Sequence, residues 1–370
     1  MKLFSFFKFS IGHMNQTSNS FKEMIQYPNT DIPRTMIYVD PTDTIEKLRI
    51  MKAKRILLQL PDGLKPRVFE YFNALSKEFN VIVSSEGFYG ACDTGTMDVY
   101  GKVDCIVQLG HSRIPNIDYP IPVIFEEYLE DAQENFQNVD FSIISNSGYK
   151  KIGVLYSIQY KDTAENVKGH MRSIGFEVYT GKKDSRISYD GQVLGCNYSS
   201  LHSISSEVDC FLVISTGIFH SLGAQLSTDK EVFILDLNDR TLTSMMERTE
   251  RIKRKRYLSI FSVKKAKKFA VVVDSKVGQY RIKVAERIMD VLKRNGKEVV
   301  LVYTNESNPT DFSNMRCDAV VFTGCPRVPI DDQERYEMPV LTVTEFFMVF
   351  NGNGNGRYVM DEIVGVDPVR

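Results

Sequence analysis

The sequence predicts an α/β protein made of three pseudo-repeated small domains, with parallel sheets around a pseudo-threefold axis. Three observations predict it. The apolar runs are continuous rather than alternating, as in strands of helix-covered parallel sheets that are buried on both faces. They alternate with amphipathic stretches and glycine-containing turns. A marker aspartate also recurs beside a strand start, in Val103-Asp104-Cys105, Val208-Asp209-Cys210 and Arg316-Cys317-Asp318, at intervals of 105 and 109 residues. Each block opens on a basic pair: Lys54-Arg55, Lys150-Lys151 and Lys267-Lys268. Solenoid repeats run ~20–50 residues, so this longer period means a tripled domain.

Taken in order, residues 1–45 carry no sustained period and read as an N-terminal extension, with a short helix around Thr42–Lys52. Lys8 interrupts the apolar start and no small-residue cleavage site follows, which argues against a signal peptide. The first domain, 46–148, has strands at Arg55–Leu60, Val81–Ser84, Cys105–Leu109 and Val123–Phe125. The second, 149–263, has Ile152–Tyr156, Phe176–Tyr179, Phe211–Ser215 and Val232–Asp236. The third, 264–348, has Phe269–Asp274, Glu298–Tyr303, Ala319–Thr323 and Val340–Val343. A helix of roughly four turns is expected between the first two strands of each. Residues 349–370 form a C-terminal tail, whose Asn351–Gly356 segment reads as peripheral. The stretch Arg248–Lys268 holds ten Lys/Arg and one acid, Glu250; it reads as a charged helix face linking domains, or as a docking surface for a protein substrate.

Composition narrows the function classes. Lys+Arg is 46 and Asp+Glu is 47, a net charge of -1, which opposes a general nucleic-acid coat and a disordered polyelectrolyte. No apolar run approaches the ~20 residues of a bilayer span. Six cysteines in 370 residues are too few for a disulfide scaffold. A cytoplasmic protein with reduced cysteines, and with no nucleic-acid or membrane partner, is expected.

Three of the cysteines occupy related places. Cys92 lies 12 residues before Asp104, and Cys196 lies 13 before Asp209, in equivalent loops. Cys325 lies 7 after Asp318, where the first block has His111. Ligands of open α/β sheets gather at strand C-terminal ends, so three such loops would bring three thiolates together. A structural zinc site usually takes four ligands, commonly from close pairs, and no C-x-x-C pair exists here. A 4Fe–4S cluster on three cysteines leaves one iron open for chemistry. Spacing alone equally allows three unrelated core residues. The glycines beside them, in Gly90-Ala91-Cys92, Gly195-Cys196 and Gly324-Cys325, favour a closely approached site. Cys105, Cys210 and Cys317 read as strand packing.

The segments Tyr89-Gly-Ala-Cys-Asp93, Gly110-His-Ser112, Gly195-Cys196-Asn197, Gly324-Cys-Pro-Arg327 and Ile330-Asp-Asp332 resemble the diphthamide synthesis family, in its archaeal 2-(3-amino-3-carboxypropyl)histidine synthase form. Leu58-Gln-Leu-Pro-Asp-Gly-Leu64 is similar to the family's first strand and turn, and the likeness covers about residues 45–348. The resemblance implies a 4Fe–4S cluster on Cys92, Cys196 and Cys325, with S-adenosylmethionine at the open iron. It implies an external electron donor and transfer of a 3-amino-3-carboxypropyl group to a histidine of translation elongation factor 2, the first step of diphthamide formation. Retention of all three cysteines implies a catalytic subunit, expected as a homodimer.

Gly110, His111 and Asp236 are further candidates for cofactor binding at strand ends. His111 reads equally as a satisfied loop histidine, and Asp331 and Asp332 read as helix N-caps. Three rival functions stand beside the main one, one of them a metal-free binding protein with three α/β lobes. A quinolinate synthase-like dehydratase would also use three cysteines on a 4Fe–4S cluster. A non-catalytic, cluster-carrying partner subunit would need a second chain for activity.

Overall fold

The computed structural model describes residues 41–95, 97–130, 132, 136–350 and 357–368. The extension before residue 41 and the Asn351–Gly356 segment lie outside the described residues. Residues 41–370 form one unit holding three sheets. The first contains β1 (Arg55–Gln59), β2 (Asn80–Val83), β3 (Cys105–Leu109) and β4 (Val123–Glu126). The second contains β5 (Lys151–Tyr156), β6 (Glu177–Tyr179), β7 (Cys210–Ile214), β8 (Val232–Asp236) and β9 (Thr241–Ser244). The third contains β10 (Lys268–Asp274), β11 (Glu298–Thr304), β12 (Ala319–Phe322) and β13 (Val340–Leu341).

The three sheets share one order: β2-β1-β3-β4, β6-β5-β7-β8 and β11-β10-β12-β13. All these pairings are parallel; β9 adds an antiparallel edge to β8. The sequence did not predict β9, because Thr241-Leu-Thr-Ser244 is short and mostly polar. Central strands are buried past their first residue, and every residue of β3 and β7 is. Covering helices present one apolar stripe each, such as Ala164, Val167 and Met171 from Lys161–Ser173 and Ala285, Ile288 and Leu292 from Ile282–Arg294. The first unit departs from the four-turn expectation. Its helix is only Val68–Leu75, preceded by a 3-10 stretch, Asp62–Arg67, that contains Pro66.

The repeated marker has a physical role. Asp104 accepts the backbone N–H groups of Lys54 and Arg55, each at 2.8 Å. Asp209 accepts those of Lys150 and Lys151 at 2.8 and 2.9 Å, and Asp318 those of Lys267 and Lys268 at 2.8 and 2.9 Å. Each carboxylate thus pins the start of its unit's first strand, and these backbone bonds hold all three below the usual carboxylate range.

The basic stretch forms the helix Met246–Ser262, and its face is not wholly solvated. Arg256 is buried and forms a forked pair with buried Glu345, its Nε donating at 2.7 Å and its Nη2 at 2.5 Å. Past residue 356 the chain returns to the core: Tyr358, Met360 and Ile363 are buried. No helix among the described residues is long and apolar enough to cross a membrane.

Candidate active site

In each sheet the strand order reverses between its first and third strands, β1/β3, β5/β7 and β10/β12. Ligands bind outside the C-terminal ends at such switch points. A cavity of about 510 Å³ lies there. His111 and Ser112 follow β3, Ser157 follows β5, Asp274 ends β10 and Cys325 follows β12; all line it, together with Cys92 and Cys196. The three cysteines predicted to converge therefore share one cavity. Cys105 and Cys210 are buried within β3 and β7, and half-buried Cys317 lies just before β12.

Each cysteine is held by a different local device. The Cys92 loop is tied by Gln108, whose Nε2 donates to the Asp93 carbonyl at 2.8 Å, and by the Tyr119 hydroxyl, which donates to the Ala91 carbonyl at 3.0 Å. Gly278 N–H donates to the Cys92 carbonyl at 2.9 Å. Gly195 and Cys196 form the tip of a tight turn closed by reciprocal Leu194–Asn197 backbone bonds of 3.1 and 3.3 Å. A Cβ on Gly195 would sit 2.2 Å from the Phe219 ring, so any larger residue at that tip would displace the ring. Ile363 N–H donates to the Cys196 carbonyl at 2.8 Å, so the C-terminal tail straps this turn. Cys325 precedes the short helix Arg327–Asp331, and the Cys325 carbonyl accepts the Val328 N–H at 3.2 Å.

Gln279 joins two of the thiols. Its Nε2 donates to Cys92 Sγ at 3.3 Å, while its Oε1 accepts the Cys325 N–H at 3.1 Å. Arg186 Nη2 lies 4.0 Å from Cys196 Sγ. Burial, then the neighbouring Cys196, pushes the Cys92 thiol up to about 12. Burial, then Cys196 and Cys92, pushes Cys325 up. With their pKa values raised in this way, these thiols lose their protons at neutral pH only when a cationic partner binds the thiolates. Among the described residues no three His, Cys, Asp or Glu side chains converge on a single metal ion.

The rest of the wall is mainly apolar, with Ile114, Ile158, Val193, Leu194, Phe219 and Phe322 in it, and its charged groups are mostly paired. Lys276 Nζ stands 3.7 Å from Asp274 and 3.5 Å from Glu306. Burial opposes its charge, yet Asp274, Asp93 and Glu306 together hold its pKa above the ordinary value. Burial pushes Asp93 and Asp274 up to about 6, with Lys276 opposing it. Burial pushes His111 and His220 down to about 4, so both imidazoles are neutral. His111 Nδ1 is buried without a partner. The Arg327 guanidinium lies 4.3 Å over the Phe219 ring and pairs with Asp331 at 3.0 Å, leaving Nη1 buried and unpartnered.

Of the other predicted site residues, Gly110 and Asp236 do not line the cavity. Gly110 has φ +85°, a turn conformation that suits glycine, and its carbonyl accepts from Gln159 at 3.1 Å. Asp236 closes a local turn by accepting the Asn238 N–H at 3.0 Å and ties it to the loop after β7 by accepting the Gly217 N–H at 2.8 Å. Asp331 is not an N-cap; it closes the fork with Arg327 at the end of its helix. Asp332 caps with no side-chain bond either and meets Arg335 at 3.5 Å. Sequence reasoning missed Gln279, Arg186 and His220. For Gln279 a signal was present: it follows β10 as the Asp62-Gly63 turn region follows β1.

A model of the diphthamide synthesis protein family matches residues 60–359. A Pyrococcus horikoshii protein named 2-(3-amino-3-carboxypropyl)histidine synthase is 34% identical over 335 residues, covering 88% of this chain and 94% of its own. A protein of the same name from Methanocaldococcus jannaschii is 25% identical over 326 residues, covering 84% and 87%. The crystal structure of Dph2 from Pyrococcus horikoshii with a 4Fe-4S cluster matches with a TM-score of 0.80 and 33% identity, covering 90% of this chain and 96% of that one. The three-sheet α/β architecture is thus that of Dph2. With a family model spanning most of its length and a 34% identical relative aligned nearly end to end, the chain belongs to the diphthamide synthesis protein family, whose curated relatives are enzymes named as histidine synthases.

Proposed function

We propose that the chain transfers the 3-amino-3-carboxypropyl group of S-adenosylmethionine to a histidine of translation elongation factor 2, using a 4Fe–4S cluster on Cys92, Cys196 and Cys325. The observation that carries this reading is the meeting of three cysteines, one from each sheet's loops, on one cavity. The donor set fits the cluster. Soft thiols are the ligands it takes, and two of the sulfurs have a side-chain N–H group directed at them, Cys92 from Gln279 at 3.3 Å and Cys196 from Arg186 at 4.0 Å.

When bound, the reduced cluster supplies the electron that breaks the sulfonium–Cγ bond of S-adenosylmethionine, giving 5′-methylthioadenosine and a 3-amino-3-carboxypropyl radical. The chain's own residues bind and orient. Arg327, with an unpartnered Nη1 beside Cys325, suits the methionine carboxylate. Asp274, Asp93 and Glu306 around Lys276 suit an ammonium group. Neutral His111 and His220 offer hydrogen bonds without adding charge beside the sulfurs. Holding the sulfonium in one orientation selects which C–S bond breaks, and positioning of this kind is worth up to ~7–11 kcal/mol. In this reading an external donor supplies electrons, and the working form is a cytoplasmic homodimer, as the family resemblance implies.

The test is anaerobic turnover of the reconstituted chain with dithionite, S-adenosylmethionine and elongation factor 2. The expected products are 5′-methylthioadenosine and one modified histidine seen by mass spectrometry. A fully loaded chain that leaves S-adenosylmethionine intact, as a quinolinate synthase-like dehydratase would, or that needs a second chain for turnover, contradicts the reading.

A further inference from the structure

Four arginines are buried among the described residues. Three have carboxylate partners: Arg256 with Glu345, Arg281 with Asp361 and Arg327 with Asp331. Arg186 has none, although its relative exposure is 0%. Its Nη2 donates to the Gly278 carbonyl at 2.7 Å and faces Cys196 Sγ at 4.0 Å. Its Nε and Nη1 are buried without any partner, and its charge is felt at Cys92. The Asp184 carboxylate, two residues away, is turned to the Arg186 backbone N–H at 2.8 Å and to Asn197 at 2.9 Å. A lone guanidinium inside a protein is costly unless an anion compensates it.

We infer that the cluster itself is the counter-ion of Arg186, and that Arg186 is a positioning residue setting how tightly the cluster is held and how readily it is reduced. The inference rests on the cluster reading above. Three thiolates on an oxidised 4Fe–4S core of charge +2 give a net charge of −1, the complement of one guanidinium. Reduction adds one electron and makes the cluster more negative, so a fixed positive charge beside it favours the reduced form. The unpartnered Nε and Nη1 also leave N–H donors of the kind that suit the sulfides of a cluster.

The test compares the full-length wild type with Arg186→Met and Arg186→Lys, each metal-free and anaerobically reconstituted. Two quantities are read: the midpoint potential, by redox titration followed by electron paramagnetic resonance, and the rise in Tm on loading. In Arg186→Met the potential is expected to shift negative and the rise in Tm to shrink. Arg186→Lys, which keeps the charge, is expected to stay closer to wild type in both. A Met variant with the wild-type potential, or with the wild-type rise in Tm, overturns the inference. If that variant does not fold, Arg186→Gln, which keeps a donor toward Gly278, is read in its place. Failure of both neutral variants to fold also overturns it, because Arg186 would then be a packing residue. Wild-type protein that takes up no iron would instead sink the cluster reading itself.

Discussion

Replacing Gly278 by alanine tests how the Cys92 loop is held. A Cβ there would lie 2.4 Å from Cys92 Cβ, 2.5 Å from its Cα and 2.7 Å from Ile117 Cδ1. Ordinary contact begins at 3.4 Å, so one backbone must retreat by about 1 Å. Overpacking of this kind costs ~1–3 kcal/mol. With an unfolding entropy of ~2.1 cal/mol/K per residue over 370 residues, Tm should fall by about 1–4 °C. The same retreat strains the Gly278–Cys92 bond of 2.9 Å and the Arg186–Gly278 bond of 2.7 Å, which together tie two thiol loops to one backbone unit. Iron uptake should therefore fall with stability. Gly169→Ala is the control. Gly169 is exposed within the helix Lys161–Ser173, with nothing within 4 Å of a new Cβ, so alanine should stabilise by ~0.5–1 kcal/mol. The assay is thermal unfolding with iron and sulfide analysis after reconstitution. Gly278→Ala with wild-type Tm and full iron content would refute the close-approach argument.

Arg256→Met should cost ~3–5 kcal/mol by urea unfolding, because it leaves the buried Glu345 carboxylate unpaired; adding Glu345→Leu should recover part of the loss, and a single variant of wild-type stability would refute the pairing argument. Truncation after Gly356 removes the Ile363–Cys196 and Asp361–Arg281 contacts, so iron should leave faster under chelator; an unchanged rate would show that the tail does not secure Cys196. The buried cavity groups should also shape acid stability. His220 is pushed down to about 4 by burial, against ~6.5 unfolded. The unfolded chain therefore takes the proton first, and up to ~3 kcal/mol is lost as pH falls from about 6.5 to 4. Asp274, pushed up to about 6 by burial, acts oppositely: its native form takes the proton first, so its contribution grows as pH falls from about 6 to 4. In metal-free protein His220→Asn should flatten the acid loss and Asp274→Asn should steepen it; Tm–pH curves with the signs reversed would contradict these assignments.

The strands were the most legible part of the fold. Cys105–Leu109 and Val232–Asp236 match the sequence reading end to end, because burial on both faces leaves a run of apolar residues with sharp limits. The marker aspartates were legible as a repeat, but their bonds to the paired backbone amides were not, since those pairings span 49–59 residues. Arg256 was hidden in a charged run because its partner lies 89 residues away. In the site, the cysteines stood out by position relative to the repeat. Gln279 and Arg186 did not, because their meaning arises only where residues 92, 196, 278 and 325 meet. Asp236 looked like a site residue because it ends a strand, yet that strand end closes a local turn.

The most direct measurement of the central claim is anaerobic reconstitution of wild type and all six Cys→Ala variants, followed by iron analysis and electron paramagnetic resonance of the reduced proteins. The account predicts a 4Fe–4S signal in wild type that is lost or converted in Cys92→Ala, Cys196→Ala and Cys325→Ala, and kept in Cys105→Ala, Cys210→Ala and Cys317→Ala. An unaltered signal in any of the first three, or its loss only in the second three, would contradict it.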